Sequence, residues 1–242
     1  MKNSFYVENK AKVIIISYKA DESVLKILSY FDIPILKTSK ANVDYRIDDH
    51  ADLQVHPIEP GKIMVSKCTY DYYKEKLKDY DIEVIKASDD LSDAYPNDCR
   101  LNVFRHDNYY ITKSGVIDRS LERKLSDLSL SPIYQNQAYA NCMSISLENL
   151  VITCDMSIIR ALKEKGIKVE YISNEEIQLH GHKTGFLGGS CGIIDSRKIF
   201  FTGNINKLKD GKKLIDILER NGYEYFYPDQ EIIDLGGIIP IY

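Results

Sequence analysis

Two short segments combine residue types that can do nucleophilic chemistry. In Gly188-Gly189-Ser190-Cys191 a thiol follows two glycines and precedes an apolar pair, and such a cysteine is either a small buried hydrophobe or a nucleophile. The glycines favour the second interpretation. In His50-Ala51-Asp52 an imidazole stands among carboxylates, which stabilise its protonated form and suit it to donate a proton near neutral pH. The alternative for this segment is a solvated acidic loop.

A further pair of histidines, His180 and His182, is separated by one residue. Alternate residues of a strand share a face, so this pair could bind a metal ion. The motif contains no carboxylate or cysteine that would complete such a site, and we expect no metal and no cofactor. We interpret the segment instead as a loop that enters a central site and brings His182 or Lys183 to a substrate.

Polar residues also stand at Asp98 and Asn141, ahead of short apolar segments. Each could bind a substrate or cap the end of a strand, and both alternatives stay open. Cys99 and Cys142 follow them at equivalent places, which indicates a position that favours a small residue. We therefore interpret these two cysteines as structural.

The composition of the 242 residues limits the classes of partner. A net charge of −4 and a pI near 5.8 argue against nucleic acid, because proteins that bind it need an excess of Lys and Arg. The first twelve residues contain no apolar signal-peptide core, and the longest apolar runs are as short as Val13–Ile16, so we expect neither secretion nor a membrane span. Five cysteines without a CxxC pair favour reduced thiols and a cytoplasmic protein.

The elements that must position these residues repeat along the chain. Five amphipathic segments each contain a late leucine that is followed at +5 and +7 by residues that are apolar in nearly every case, a pattern typical of a helix that leads into a strand. The five sets are Leu28/Ile33/Ile35, Leu77/Ile82/Val84, Leu125/Leu130/Pro132, Leu162/Ile167/Val169 and Leu218/Tyr223/Tyr225. Pro132 departs from the pattern, and we expect Ile133 to take its role.

A short apolar strand that ends in Ser or Thr precedes every helix, and its hydroxyl can start a turn or cap the helix. These strands are Val13–Ser17, Ile63–Ser66, Tyr109–Thr112, Leu150–Thr153 and Ile199–Thr202. In four units a leading strand comes before them across a tight turn, at Leu53–Ile58, Arg100–Arg105, Met143–Leu147 and Cys191–Ile194. The first unit has only the polar stretch Asn3–Lys12 there, whereas the C-terminus has a strand left over, Leu235–Tyr242. We predict that this last strand completes the first unit and closes a ring without exposed edges.

Five ββαβ units closed by a C-terminal strand resemble the pentein fold, the α/β-propeller of the guanidino-group-modifying enzymes. That superfamily includes arginine deiminase, agmatine deiminase and the amidinotransferases, and also a non-catalytic branch, the ribosome anti-association factor. The chain is most similar to a bacterial subgroup of proteins with this fold. The resemblance implies one α/β domain over residues 1–242, a five-bladed propeller whose units are approximately 1–39 plus 235–242, 50–88, 96–137, 138–179 and 182–234.

The resemblance also implies a chemistry. In the family a cysteine thiolate attacks the guanidinium carbon, a histidine moves protons to the leaving amine, and carboxylates hold the planar cation. The His-x-Asp segment and the Gly-Gly-Ser-Cys segment are similar to the family's motifs. They imply a hydrolase or amidinotransferase for a small guanidino or amidino compound, with Cys191 as nucleophile and His50 as acid and base. The substrate-binding positions, found by counting back from the hydroxyl of each hairpin and from the histidine loop, are Asp52, Asp98, Asn141 and His182.

Two departures from the family's pattern leave an alternative open. The family's cysteine lies on the closing strand, which here reads Gly236-Gly237-Ile238-Ile239-Pro240, and the candidate thiol belongs to the fifth unit. His50 is two units from Cys191, but in the opposite sense around the ring. Either the site has been rearranged, or the scaffold binds a small ligand or a protein partner without turnover. The sequence is compatible with a homo-oligomer as well.

Overall fold

The structure, a computed structural model, describes residues 10–242, so most of the polar stretch Asn3–Lys12 lies outside the described residues. The strands are β1 (Val13–Ile16), β2 (Ile35–Lys37), β3 (Val55–Glu59), β4 (Lys62–Val65), β5 (Glu83–Lys86), β6 (Phe104–His106), β7 (Tyr109–Lys113), β8 (Ser131–Gln135), β9 (Ser144–Ser146), β10 (Val151–Thr153), β11 (Val169–Tyr171), β12 (Cys191–Asp195), β13 (Lys198–Phe201), β14 (Glu224–Phe226) and β15 (Ile239–Ile241). The α-helices are α1 (Glu22–Leu28), α2 (Ala51–Gln54), α3 (Tyr70–Lys76), α4 (Arg119–Asp127), α5 (Met156–Lys163) and α6 (Gly211–Arg220).

The strands form five sheets of three strands each. In every sheet the middle strand pairs antiparallel with a leading strand and parallel with the strand that follows the helix. A parallel pair needs a crossover, and the helix provides it. β15 pairs antiparallel with β1, with Ile15 opposite Ile239, and so takes the place of the leading strand in the first sheet. This α/β arrangement of five units is the predicted propeller.

The repeated apolar positions form the core between the sheets and helices. The five late leucines, Leu28, Leu77, Leu125, Leu162 and Leu218, are completely buried. The hydroxyl residues that end the middle strands, Ser17, Ser66, Thr112, Thr153 and Thr202, are buried as well. Pro132 is exposed and Ile133 is buried in β8, which confirms that Ile133 takes the role that Pro132 leaves. Helix α5 begins at the carboxylate of Asp155, which accepts hydrogen bonds from the backbone N–H groups of Ser157 and Ile158.

The leading strand β12 begins at Cys191 as predicted, whereas the other leading strands and the closing strand begin later than predicted, and this difference shapes the site. The segment predicted as the strand Leu53–Ile58 starts with helix α2, and β3 follows from Val55. The predicted strands Arg100–Arg105 and Leu235–Tyr242 are reduced to β6 and β15. Before β15 the chain turns through two glycines with φ of +71° and +80°, a conformation that β-strand pairing cannot accommodate and that favours glycine. The residues ahead of the leading strands therefore form turns rather than strands.

Candidate functional site at the propeller axis

Asp52 and Cys142 belong to different units and meet ahead of their leading strands. Asp52 lies three residues before Val55, which pairs with Val65 in the hairpin of its unit. Cys142 lies three residues before Ile145, which pairs with Ile152 in the same way, so the two residues occupy equivalent positions. The Cys142 Sγ lies 2.7 Å from Asp52 Oδ2, and both side chains are buried. The equivalent position in two units thus brings a thiol and a carboxylate into contact.

Asn102 of the third unit holds this pair in place. Its amide Nδ2 donates to Cys142 Sγ at 2.9 Å, and its Oδ1 accepts from the backbone N–H of Asn141 at 2.9 Å. The amide is completely buried and uses both ends, so it fixes the thiol relative to the third and fourth units.

Asp234 contributes a second buried carboxylate from the segment ahead of the closing strand. Its two oxygens accept from the backbone N–H groups of Phe186 and Gly236, each at 2.9 Å. His50 Nδ1 lies 4.0 Å from Asp234 Oδ1, and the imidazole is 6% exposed. Gly189 lies directly beneath this carboxylate, where a Cβ atom would collide with Asp234. We call His50, Asp52, Asn102, Cys142 and Asp234 the axial cluster.

The two carboxylates of the axial cluster are electrostatically unusual. Burial, only partly offset by nearby His50, raises the pKa of Asp52 to about 7, and burial likewise raises the pKa of Asp234. No lysine or arginine of residues 10–242 forms an ion pair with either of them. Asp52 Oδ1 is buried and has no hydrogen-bond partner among the described residues. A buried acceptor without a donor is costly, so this oxygen is a candidate to receive a ligand.

The thiols of Cys142 and Cys191 are both buried and protonated at neutral pH. Burial raises the pKa of Cys142 well above its usual value, and the carboxylates of Asp52 and Asp234 act in the same direction. Burial, together with Asp234, also raises the pKa of Cys191. A reactive thiolate would need a positive charge to offset these effects.

Cys191 faces a cavity that is too small for a guanidino compound. Its Sγ lies 3.4 Å from the carbonyl oxygen of Leu187, and the space beside it, lined mainly by apolar side chains such as Phe104 and Ile238, measures about 50 Å³. Such a volume holds roughly three water molecules at most. His50 is not among the residues that line it, so the structure does not bring the predicted Cys191 and His50 pair into one cavity.

A larger cavity of about 520 Å³ opens over His50 and Asp234. It is bordered by the turn after β1, by the acidic segment before α2 and by the histidine loop, and its lining includes Tyr18, Lys19, Asp49, His50, His180 and Asp234. This volume accommodates a small metabolite. The acidic segment itself is buried, so its interpretation as a solvated loop is wrong.

The remaining predicted residues lie around this centre. Asp98 is buried and accepts hydrogen bonds from the Tyr139 hydroxyl and, at 3.1 Å, from the thiol of its neighbour Cys99, which makes it a separate cluster. Asn141 lines the small cavity beside Cys191 and directly precedes Cys142, the residue that contacts Asp52. His182 is exposed; the histidine of its loop that lines the larger cavity is His180.

Three residues of the site were not predicted or were assigned another role. The recurrence of a cysteine at the equivalent places 99 and 142 favours a structural role for both, but Cys142 contacts the carboxylate of Asp52, whereas Cys99 contacts Asp98. Nothing in the sequence around Asn102 indicates a role in the site. Asp234 precedes two glycines, a pattern that indicates a turn and could have placed it at the axis. The glycines before Cys191 make room for protein rather than ligand, because Gly188 touches carbonyl groups of the fourth unit and Gly189 touches Asp234.

Two further properties concern metals and membranes. Within residues 10–242 no group of three or more His, Cys, Asp or Glu side chains is arranged to hold a metal ion. None of the helices described there is long and apolar enough to cross a membrane.

Comparison with known proteins identifies a family and a fold. The model of a family described as "Family of unknown function (DUF6873)" matches residues 15–239. No curated protein matches the sequence.

Three solved structures are similar over nearly the whole chain. DDAH from Pseudomonas aeruginosa complexed with citrulline has a TM-score of 0.57 at 11% identity and covers 91% of this chain and 92% of that chain. Agmatine deiminase from C. jejuni has a TM-score of 0.57 at 10% identity, with 93% and 90% covered. Inosamine-phosphate amidinotransferase from Streptomyces griseus has a TM-score of 0.55 at 12% identity, with 96% and 92% covered. All three are penteins, and this chain has the pentein fold.

Proposed function

The chain belongs to DUF6873, a family of unknown function, and we propose that it binds a small guanidino or amidino cation at the axial cluster and modifies it through a cysteine. The observation that carries this proposal is a pair of buried carboxylates, Asp52 and Asp234, beside a thiol and an imidazole. The similar structures include a DDAH with bound citrulline, an agmatine deiminase and an amidinotransferase, which supports the same general class of substrate. Fold alone does not choose a function, so the weight rests on the site.

The charge of the site favours a planar cation. A guanidinium carries N–H donors along its edges and matches a carboxylate by two parallel hydrogen bonds. Asp234 lines the larger cavity and can meet the cation there, while Asp52 Oδ1 offers an acceptor that lacks a donor. A neutral ligand of the same shape binds much more weakly, because it brings no positive charge to the two buried carboxylates whose pKa values are raised. We expect cations to be selected strongly over their neutral analogues.

Cys142 is the thiol that we propose as the nucleophile, in place of Cys191. A bound cation beside Cys142 lowers the cost of its thiolate: the thiol proton passes to ionised Asp52, whose Oδ2 lies 2.7 Å from Sγ, and the thiolate adds to the central carbon of the guanidinium. The C–N bond to the leaving amine breaks, and His50 gives the amine its proton. Water then cleaves the amidino-thioether and restores the thiol, or an acceptor amine takes the amidino group. The predicted substrate contacts at Asp98, Asn141 and His182 remain predictions. They would contact only the parts of the ligand beyond its guanidinium group.

A second candidate function is binding without turnover. It is favoured by the burial of both thiols and by the lining of the larger cavity, where no cysteine occurs among the described residues. The two candidates share the cation site and differ only in whether a covalent intermediate forms.

Calorimetric titration with methylguanidine between pH 6 and 8.5 tests the cation site. Binding favours ionised Asp52, whose pKa is about 7 without ligand, so below that pH the ligand must displace a proton. We expect the dissociation constant to rise about tenfold per pH unit below 7 and to level off above it. Methylurea, which has the same shape without the charge, is the control and should not bind measurably. Equal affinity for both ligands, or affinity that is independent of pH, would contradict the proposal.

A further inference from the structure

The turn after β1 reaches across to the loop that carries His50. Lys19 Nζ donates to Asp48 Oδ1 at 2.9 Å, to Asp49 Oδ1 at 2.7 Å and to the carbonyl oxygen of Tyr45 at 2.9 Å. One ammonium group therefore joins three positions of the loop of residues 45–49. The next residue of the chain is His50.

The neighbours of Lys19 reinforce the same connection. The Ser17 hydroxyl donates to the Asp49 carboxylate, and the Tyr18 hydroxyl donates to Asp48 Oδ1 at 2.9 Å. Three consecutive residues of the first unit thus donate to two consecutive carboxylates ahead of the second unit. This arrangement connects two blades beside the larger cavity, which Lys19, Asp48 and Asp49 all line.

The two carboxylates depend on the ammonium of Lys19. Asp48 and Asp49 are each 2% exposed, and a buried carboxylate without a counter-charge is strongly destabilising. Although partial burial acts the other way, hydrogen bonds to Asp49 and Asp48 raise the pKa of Lys19, so it stays charged. The other lysine nearby, Lys40, lies 3.5 Å from Asp48 Oδ2, but its side chain is 74% exposed and contributes little.

His50 is held between this loop and the closing segment. On one side, Thr38 Oγ1 donates to the backbone oxygen of Asp49 at 2.7 Å. On the other side His50 packs so closely against Gly236 that a Cβ atom there would collide with it. The backbone N–H of Asp52 donates to the Gly236 carbonyl at 2.9 Å. The 4.0 Å approach of His50 to Asp234 thus lies between these two supports.

We infer that Lys19 is a positioning residue, whose ammonium fixes the Asp48-Asp49 segment and thereby holds the His50 imidazole over Asp234. The ammonium of Lys19 already neutralises Asp48 and Asp49. Asp234 and Asp52 are therefore the buried carboxylates that are left for a cationic ligand. The role in ligand binding rests on the proposed function, whereas the role in orienting His50 can be measured without any ligand.

The test compares Lys19→Gln with the matched control Lys40→Gln, which removes a lysine from the same carboxylate. Two NMR readouts report on orientation: the nuclear Overhauser contact between the His50 ring and the α-protons of Gly236, and hydrogen exchange of the Asp52 amide. We expect Lys19→Gln to lose the contact and to accelerate exchange of that amide about tenfold or more. Lys40→Gln and the charge-retaining variant Lys19→Arg should keep the contact and stay within about twofold of the wild type.

If Lys19→Gln does not fold, the double variant Lys19→Gln/Asp49→Asn replaces it, because it removes one buried carboxylate together with the ammonium. Asp49→Asn alone is its control and should keep the contact. Wild-type-like contacts and exchange in the variant that lacks Lys19 would overturn the inference. Failure of the wild type to bind methylguanidine would reject the proposed function, yet it would leave this ligand-free result intact, so the two failures are distinguishable.

Discussion

Replacing Asp52 with asparagine is expected to stabilise the fold and to remove ligand binding at the same time. The folded-state pKa of Asp52, about 7, lies above the value near 3.9 of an unfolded chain. The wild-type protein therefore loses stability relative to Asp52→Asn as the pH rises from about 4 to about 7, and the difference stays constant above that. Three pKa units correspond to roughly 4 kcal/mol at pH 8, which we regard as an upper value because a mutated site relaxes.

Urea unfolding at pH 5 and pH 8, together with titration of methylguanidine, measures both effects. Asp52→Asn should unfold at higher urea than the wild type at pH 8, with a smaller difference at pH 5, and should not bind the cation. Asp234→Asn is the informative comparison. Asp234 accepts two backbone N–H groups, and the amide can accept only with its oxygen, so a lost hydrogen bond worth about 1–3 kcal/mol opposes the gain from removing a buried charge; this variant should gain less stability at pH 8 than Asp52→Asn and should also lose binding. If Asp52→Asn binds methylguanidine with wild-type affinity, Asp52 does not contribute to the cation site.

The second large effect concerns which cysteine reacts. We expect a panel of guanidino compounds to produce a transient amidino adduct in acid-quenched samples, and peptide mass spectrometry to locate it on Cys142. Cys142→Ser should abolish the adduct and turnover, because an alcohol at this position is a far weaker nucleophile than a thiolate.

Cys191→Ser is the matched control for this experiment, since it makes the same change at a buried cysteine outside the axial cluster. It should leave the adduct and the turnover within a few-fold of the wild type, because Cys191 faces the small apolar cavity. An adduct on Cys191 would restore the assignment that the glycine motif favours. Binding of the cation without any adduct would select the non-catalytic alternative.

Much of the fold could be predicted because its determinants are local and repeated. The late leucines, the terminal hydroxyls and the strand alternation recur in every unit, so an irregular copy such as Pro132 is corrected by the others. Closure by the C-terminal strand followed from a count of strands, and β15 pairs with β1 as expected.

The site was harder to predict, because its geometry depends on the turns ahead of the leading strands. In the fourth unit a turn over residues 140–143 precedes β9, and the residue of this turn that contacts Asp52 is Cys142, one residue after the Asn141 that strand counting selects. The burial of the acidic segment before α2 is hard to predict because its counter-ion, Lys19, is about 30 residues away in the sequence. Asp234 likewise gains its role from contacts with Phe186 and Gly189, which are distant from it in the sequence.

A crystal structure of the protein with methylguanidinium at pH 8 tests the axial cation site most directly. The account predicts the planar cation on the carboxylate of Asp234, with an N–H group directed to Asp52 Oδ1 and the central carbon facing Cys142 Sγ. Methylguanidinium bound instead at the Asp48-Asp49 pair, or bound nowhere at concentrations that saturate the calorimetric signal, would contradict it.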